Sequence, residues 1–326
     1  MGSYATKLKH ILPAFFSVAF GTIIALALVR WFFCIQFLVF DIREEIWEFW
    51  IPFTLPWIPI LLWLRPRFKA LIFKTDPAKR RDGLKMIAWF TMIPMLILSQ
   101  KYLVTATGKL QHLNAITDIE KVKRSRYYKI DRFYVPHNYG GRHTQFSKSD
   151  KGRTLNFNIY FATPILIKPT SKIPAAPKYW HGVTFSKSIS NRASKAEKDR
   201  AYQDFLSDCL QQMSAYDFQD LVYFESVPNS NKRQDYFKAI EANTRQMNDN
   251  YIVLEPVREN FEDRNGNKLQ WVFGSFAIGL CVLLLALILP RYSEALRIKE
   301  KNKAAIWVRV QNYIRSFQKN QKTTRK

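Results

Sequence analysis

Four long apolar runs organise the chain, at roughly 11–40, 46–64, 84–103 and 269–289. The last three are each about 20 residues, the length that crosses a hydrocarbon core at a helical rise of about 1.5 Å per residue. In the first, residues 11–29 alone are apolar or small, enough to cross. The pattern therefore predicts four transmembrane helices. The second run carries Pro52, Pro56 and Pro59 on one helical face. Each proline removes a backbone donor and crowds the preceding turn, so a bend is expected, either simply to pack or to serve as a hinge or cavity wall. The third run contains Pro94 and ends in Gln100, Lys101 and Tyr102. The fourth has no charge, and its Ser275 and Gly279 have the small-xxx-small spacing of close helix packing.

Between the third and fourth runs the periodicity changes. Residues 109–124 read as a short helix leaving the membrane. Strands are expected at 127–135, 156–166, 180–189, 221–227 and 251–257, with Phe157, Ile159 and Phe161 on one face of the second. A helix is expected at 195–214, where Ser194 and Glu197 form a capping box, and another at 233–247. Gly140-Gly141 reads as a hairpin loop and Asn265-Gly266 as a turn. The fold class is a four-span α-helical membrane protein with an extracytoplasmic α+β domain, sandwich-like with a βαβ-like end. Its parts are 1–104 (three spans and a loop), 105–268 (the domain), 269–290 (the fourth span) and 291–326 (a tail).

Charge orients this scheme. The formal net charge is +24, which in a soluble chain would suggest nucleic acid. Most of the excess instead flanks predicted spans, in the 65–85 loop and the 291–326 tail. Arg65, Arg67, Lys69, Arg80, Arg81, Arg309 and Arg315 are the expected contacts with anionic headgroups, and no nucleic-acid partner is assigned. The turn marked by Asp41, Glu44, Glu45 and Glu48 is acidic. Positive-inside logic then puts both termini and the 65–83 loop in the cytoplasm, and the 41–45 turn and the domain outside. Arg30, beside Trp31, is expected to snorkel at the outer surface. From Ala304, apolar residues Ile306, Trp307, Val310, Tyr313, Ile314 and Phe317 recur at helical spacing among basic ones. That amphipathic helix suits an anionic membrane surface or a protein partner.

Chemistry is sparse. Cys34 and Cys281 fall in apolar runs, so the domain has only Cys209 and can form no internal disulfide. G-x-S-x-G, H-E-x-x-H, Walker and G-x-G-x-x-G motifs are absent. His137 and His143 flank a Gly-Gly loop without an acidic third ligand nearby, His181 reads as a packing histidine, and Asp217, Asp220 and Glu225 as a solvated edge. No histidine occurs in a predicted span to activate Ser275. No catalytic, cofactor-binding or metal residue is assigned, and no cofactor is expected.

The stretches FWIPFTLPWIPILLWLRPR (49–67), KYLVTATGKLQHLNAI (101–116), YWHGVTFSKSISNR (179–192) and FEDRNGNKLQWVFGSFAIG (261–279) carry a resemblance. They resemble the region preceding the protease core in a bacterial group of multi-domain rhomboid-family membrane proteins, over about 1–290. In that group a six-span core with a G-x-S-G serine and a distant histidine follows. Here no position matches either, so no catalytic residue carries over. The resemblance implies an accessory region that positions substrates or senses the periplasm. The expected function is a non-enzymatic, multi-pass protein of the bacterial inner membrane presenting a periplasmic binding or regulatory domain, with the bilayer and an intramembrane protease or other membrane protein as partners. The alternative is part of a rhomboid-type serine endopeptidase whose catalytic core is separate or lost.

Overall fold

The computed structural model describes residues 2–37, 40–73, 76–170, 174, 177–244 and 250–292. The expected amphipathic tail, with Arg309 and Arg315, lies outside these residues. In chain order, α1 (Gly2–Arg30) runs into a π-wound turn, Trp31–Gln36. The second apolar run is divided into α2 (Ile51–Thr54), α3 (Trp57–Pro59) and α4 (Arg65–Phe68), with π-wound turns at Ile46–Trp50 and Ile60–Leu64. β1 (Leu71–Ile72) and α5 (Pro77–Thr107) follow. Then come β2 (Leu110–Ala115), β3 (Tyr127–Arg132), β4 (Gly141–Ser149), β5 (Thr154–Pro164) and β6 (Tyr179–Ser190). α6 (Lys195–Ser214), β7 (Tyr223–Ser226), α7 (Asn231–Thr244) and β8 (Ile252–Val257) complete the sheet region, before α8 (Lys268–Ala286) and β9 (Arg291–Tyr292). The chain divides into two compact units. One holds α1, residues Phe49–Gln100 and the chain from Lys268; the other holds Trp31–Glu48 and Lys101–Asn267.

The first unit contains the apolar helices. Four helical segments, Tyr4–Gln36, Ile46–Phe68, Pro77–Thr107 and Phe261–Ala286, are long and apolar enough to cross a membrane. Their outward side chains are apolar too, among them Leu28, Leu62, Phe90, Ile278 and Leu285. Such a surface is a liability in water and ordinary in lipid. Inside, Phe15, Phe16 and Phe20 of α1 gather around Phe276 of α8 with ring centroids 5.9, 5.1 and 5.1 Å away. The second run changes winding around its prolines yet keeps right-handed helical backbone at Pro56 and Pro59, and Trp89 Nε1 donates to the Phe53 carbonyl at 2.8 Å.

Polar contacts tie the ends of this unit. Lys7 donates to the carbonyls of Leu287 at 2.6 Å, Ile288 at 3.3 Å and Pro290 at 2.8 Å. Carbonyls at a helix C-terminus have no intrahelical donor, and a lysine supplies one. β1 pairs antiparallel with β9 at the same end of α8. Arg30 departs from expectation. It does not snorkel into open surface but is 3% exposed, with Nη1 3.3 Å from the Gln100 carbonyl. A guanidinium in an apolar helix end is held more firmly by a backbone acceptor than by bare interface.

The second unit is built on one seven-stranded sheet in the order β2-β3-β7-β8-β6-β5-β4. β2 pairs parallel to β3 and β6 parallel to β8; the other neighbours are antiparallel. It is a mixed α/β arrangement. β7 and β8 flank α7 yet run antiparallel, so the expected βαβ-like end is absent. The 109–124 helix is also corrected: the segment is β2 followed by a 3-10 turn, Ile116–Lys121. Gly140 lies in the loop before β4 and Gly141 opens the strand, but the loop is no hairpin, because β3 and β4 do not pair.

Alternation along β5 decides the layering. Phe157, Ile159 and Phe161 pack with Phe205 and Cys209 of α6, while Tyr160 and Ala162 pack with Tyr236, Ala239 and Ile240 of α7. The two helices therefore cover opposite faces of the sheet, and β5 is buried on both sides. Fully burying a phenylalanine or isoleucine such as Phe157 or Ile159 is worth about 1.5–3 kcal/mol of transfer free energy. A third cluster, with Ile116, Tyr128, Phe218, Phe224 and Leu254, fills the far half of the sheet.

Candidate functional site

Five of the cations expected to flank a membrane are among the described residues. Arg65 and Arg67 are on α4, with Arg67 Nη1 donating to the Trp63 carbonyl at 2.7 Å. Lys69 and Arg80 are exposed, and Arg81 Nε donates to the Leu71 carbonyl at 3.3 Å. Ser275 donates to the Val272 carbonyl of its own helix at 3.0 Å. Gly279 lies against Thr91 of α5 so closely that a Cβ would collide with the threonine side chain.

The titratable groups described in the sheet unit lie in separate places. Among the described residues, no three His, Cys, Asp or Glu side chains are grouped to hold a metal. His181 is 1% exposed and boxed by Phe218, Phe224 and Tyr216. Among the described residues its ring nitrogens have no hydrogen-bond partner, and burial lowers its pKa to about 3, opposed by a contact with its own backbone. His143 approaches Asp235 at 3.7 Å, while Lys238 holds the same carboxylate oxygen at 2.8 Å. Burial and Lys238 lower the His143 pKa, with Asp235 opposing them. Burial raises the Cys209 thiol to about 11, an inert state.

Glu225 belongs to no solvated acidic edge. Arg126 Nε donates to its Oε1 at 2.6 Å, and Arg126 Nη1 lies 3.2 Å from Glu44 Oε1. Burial alone would lower Arg126, but Glu44 and Glu225 together hold its pKa above the ordinary arginine value. Glu44 brings with it the segment expected as a free acidic turn. Its backbone N–H donates to the Asn229 carbonyl at 2.8 Å, and Asn229 Nδ2 donates to the Asp41 carbonyl at 2.8 Å. Glu45 accepts from the Asn231 N–H at 2.6 Å at the start of α7, and Arg43 donates to the Asn231 side chain. Asp41 faces Arg233 at 3.6 Å. These contacts clasp the 41–45 segment onto the turn before α7.

The most distinctive surface lies where α7 stops. α7 meets β4 at Gly141, where a Cβ would strike the Ala239 carbonyl, and covers β5 at Tyr160 and Ala162. Beyond that point the same face of β4, β5 and β6 continues as three bare rows. They are Gln145–Asn158–Ser186, Ser147–Asn156–Ser188 and Ser149–Thr154–Ser190. Every position carries a hydroxyl or a primary amide and none carries a charge. Asn158 Nδ2 donates to Gln145 Oε1 at 2.8 Å, and its Oδ1 accepts from Ser186 at 2.8 Å. Asn156 Nδ2 donates to Ser149 Oγ at 3.1 Å, and its Oδ1 accepts from Ser188 at 2.7 Å. The rows end in an open depression of about 460 Å³ lined by Arg153, Thr154, Ser188, Ile189, Ser190 and Arg192. On the opposite face a smaller depression of about 290 Å³ has an apolar floor of Phe146, Leu155 and Phe157, rimmed by Lys195 and Lys198.

Sequence reasoning read the apolar half of β5 and passed over the other half. The signal was present in Asn156 and Asn158 alternating with Phe157 and Ile159, and in Ser186, Ser188 and Ser190 alternating with Phe185 and Ile189. Comparison with family models, with curated proteins and with solved structures finds no match to this chain.

Proposed function

We propose that this chain is a four-pass protein of the bacterial inner membrane, with both termini cytoplasmic, that holds its sheet domain in the periplasm as a non-enzymatic binding or regulatory module. The observation that carries the reading is connectivity. The sheet unit joins the helical unit at four places, after Arg30, before Phe49, after Gln100 and before Lys268. A domain continuous with every apolar helix is suited to relaying an event at its surface to all of them. The chemistry agrees, since its conspicuous surface is an uncharged, hydrogen-bonding sheet face rather than a nucleophile with an oriented base. The anionic headgroups of the bilayer remain the partners of the basic flanks.

The four stretches that resemble the region ahead of a rhomboid core favour an intramembrane serine protease as the protein partner. The alternative is that the chain is itself part of such an endopeptidase, with its catalytic core separate or lost. Photo-crosslinking from positions across the sheet domain in native membranes tests the reading. Reproducible adducts with one membrane protein or one envelope polymer are expected. Absence of adducts from every position would sink the binding role, and turnover of a transmembrane substrate by the purified chain would replace it with the enzymatic one.

A further inference from the structure

We propose that the polar rows of β4, β5 and β6, with Arg153 and Arg192 at their end, bind an acidic glycan: a hydroxyl-rich saccharide bearing a carboxylate. The inference rests on the reading of the sheet domain as a binding module and names its ligand class.

Three features point to this chemistry. First, the rows form a flat two-dimensional array, repeating about every 4.8 Å across strands and about 6.7 Å along them. They present donors and acceptors together, as a saccharide's hydroxyls do. Asn156 and Asn158 each use one amide N–H and one acceptor position within the network, leaving a second N–H and a second lone pair for a ligand. Second, the array is already ordered. The interlocked bonds fix amide orientation before any ligand arrives, which lowers the ordering cost of binding. Third, two cations stand at one end of the array, where the single carboxylate touching it, Asp150, accepts from Thr154 at 2.9 Å. Asn191 bridges the two turns that carry the arginines, its N–H donating to the Arg153 carbonyl at 2.6 Å and its Nδ2 to the Gly152 carbonyl at 2.7 Å. The planar guanidinium fork matches a carboxylate in two-point geometry.

Other occupants fit less well. A nucleic acid would want aromatic platforms for its bases, but Phe146, Phe157 and Phe185 lie on the opposite face by alternation, and Tyr160 on this face is buried under α7. A hydrophobic helix would find no apolar side chain in the three rows.

The test uses the full-length protein in nanodiscs of zwitterionic lipid, which removes competing anionic headgroups. Binding is measured to tetragalacturonate, to cellotetraose, to inorganic phosphate and to oligo(dT). Tetragalacturonate should bind at least about tenfold more tightly than the neutral tetrasaccharide or phosphate, as expected when charge-assisted bonds add to hydroxyl contacts. R153Q/R192Q should abolish that preference and keep the weak neutral binding. Ser188→Ala should weaken both saccharides. All three positions are exposed, and each variant should retain the wild-type melt. Equal affinity for tetragalacturonate and phosphate would overturn the proposal as a simple anion site. Tighter binding of oligo(dT), or uronate binding untouched by the variants, would overturn it equally. Crosslinking in the same preparation separates the two levels. A specific protein adduct without uronate binding sinks the glycan and leaves the binding role, whereas loss of both sinks both.

Discussion

At the scale of single residues, His181 makes a sharp thermodynamic statement. Its folded pKa is depressed to about 3 from an ordinary value of 6.5 because burial disfavours the imidazolium. As pH falls, the unfolded chain therefore takes up this proton first. The stability His181 contributes is whole above about pH 6.5 and is lost as pH falls toward about 3. Near pH 5 the loss should be about 2 kcal/mol, since one pH unit corresponds to about 1.4 kcal/mol. His181→Leu should shrink the gap between the melting temperatures at pH 7.5 and pH 5 by several degrees. It should also leave the pH 7.5 value equal or higher, because it removes nitrogens that lack partners. An unchanged gap would show that the ring is hydrated. Glycine supplies a second residue-scale test. Gly279→Val should destabilise the helical unit by about 1–3 kcal/mol through collision with Thr91. Gly274→Val, whose new Cβ would meet only Trp271 at 3.9 Å, should not. Thermal aggregation in detergent compares the two, and equal behaviour would mean that the α5–α8 approach is looser than the structure shows.

At the scale of elements, the 41–45 segment shows most clearly what tertiary contact adds to local pattern. Its four neighbouring acids, Asp41, Glu44, Glu45 and Glu48, read locally as a polar turn, and nothing in the spacing announces that Arg126 and Asn231 receive two of them. Arg126→Met leaves Glu44 and Glu225 facing one another without the cation between them. Breaking a fully buried pair costs about 3–5 kcal/mol; with about a quarter of the Arg126 side chain exposed, about 2–3 kcal/mol is expected here. An excised 101–267 polypeptide should melt below the same domain supplied with a 40–48 peptide, and Arg126→Met should cancel the gain. No gain from the peptide would mean that the clasp does not contribute. The strands divide by the same logic. β5 was legible because it alternates strongly, with Phe157, Ile159 and Phe161 on one side. β4, Gly141–Ser149, holds Phe146 as its only large apolar residue, so it has almost no periodic signal and is made a strand by pairing along β5. β2 carries Leu110 and Leu113, an i,i+3 spacing that imitates a helix, and parallel pairing with β3 overrides it. The polar rows were hidden for the same reason: a face shared by three strands becomes visible only when all three, including the unsignalled one, are set in register.

At the scale of the whole molecule, the contacts at the helix ends bear on how the chain threads. In the helical unit Lys7 meets the end of α8, and Leu71–Ile72 pairs with Arg291–Tyr292. The N-terminus, the loop after the second apolar run and the exit of the fourth are thereby gathered at one end. That end is bordered by Arg65, Arg67, Lys69, Arg80 and Arg81, the cations that the positive-inside rule would keep in the cytoplasm. In the other unit the link between the first two apolar runs is folded with the sheet that follows the third. A link after one crossing and a domain after three must lie on the same side of a bilayer, so the folded clasp and the charge pattern require the same parity. Two crossings between Glu48 and Lys101 satisfy it, and one crossing with the other segment re-entrant does not. A reporter fused after Lys326 should then be active only in the cytoplasm, and one inserted near residue 150 only outside. Cysteine substitutions at residues 43 and 150 should react with an impermeant maleimide in intact cells, and one at residue 79 should react only after permeabilisation. Labelling at 43 without labelling at 150 would break the parity and with it the proposed topology, because the clasp cannot form across a membrane.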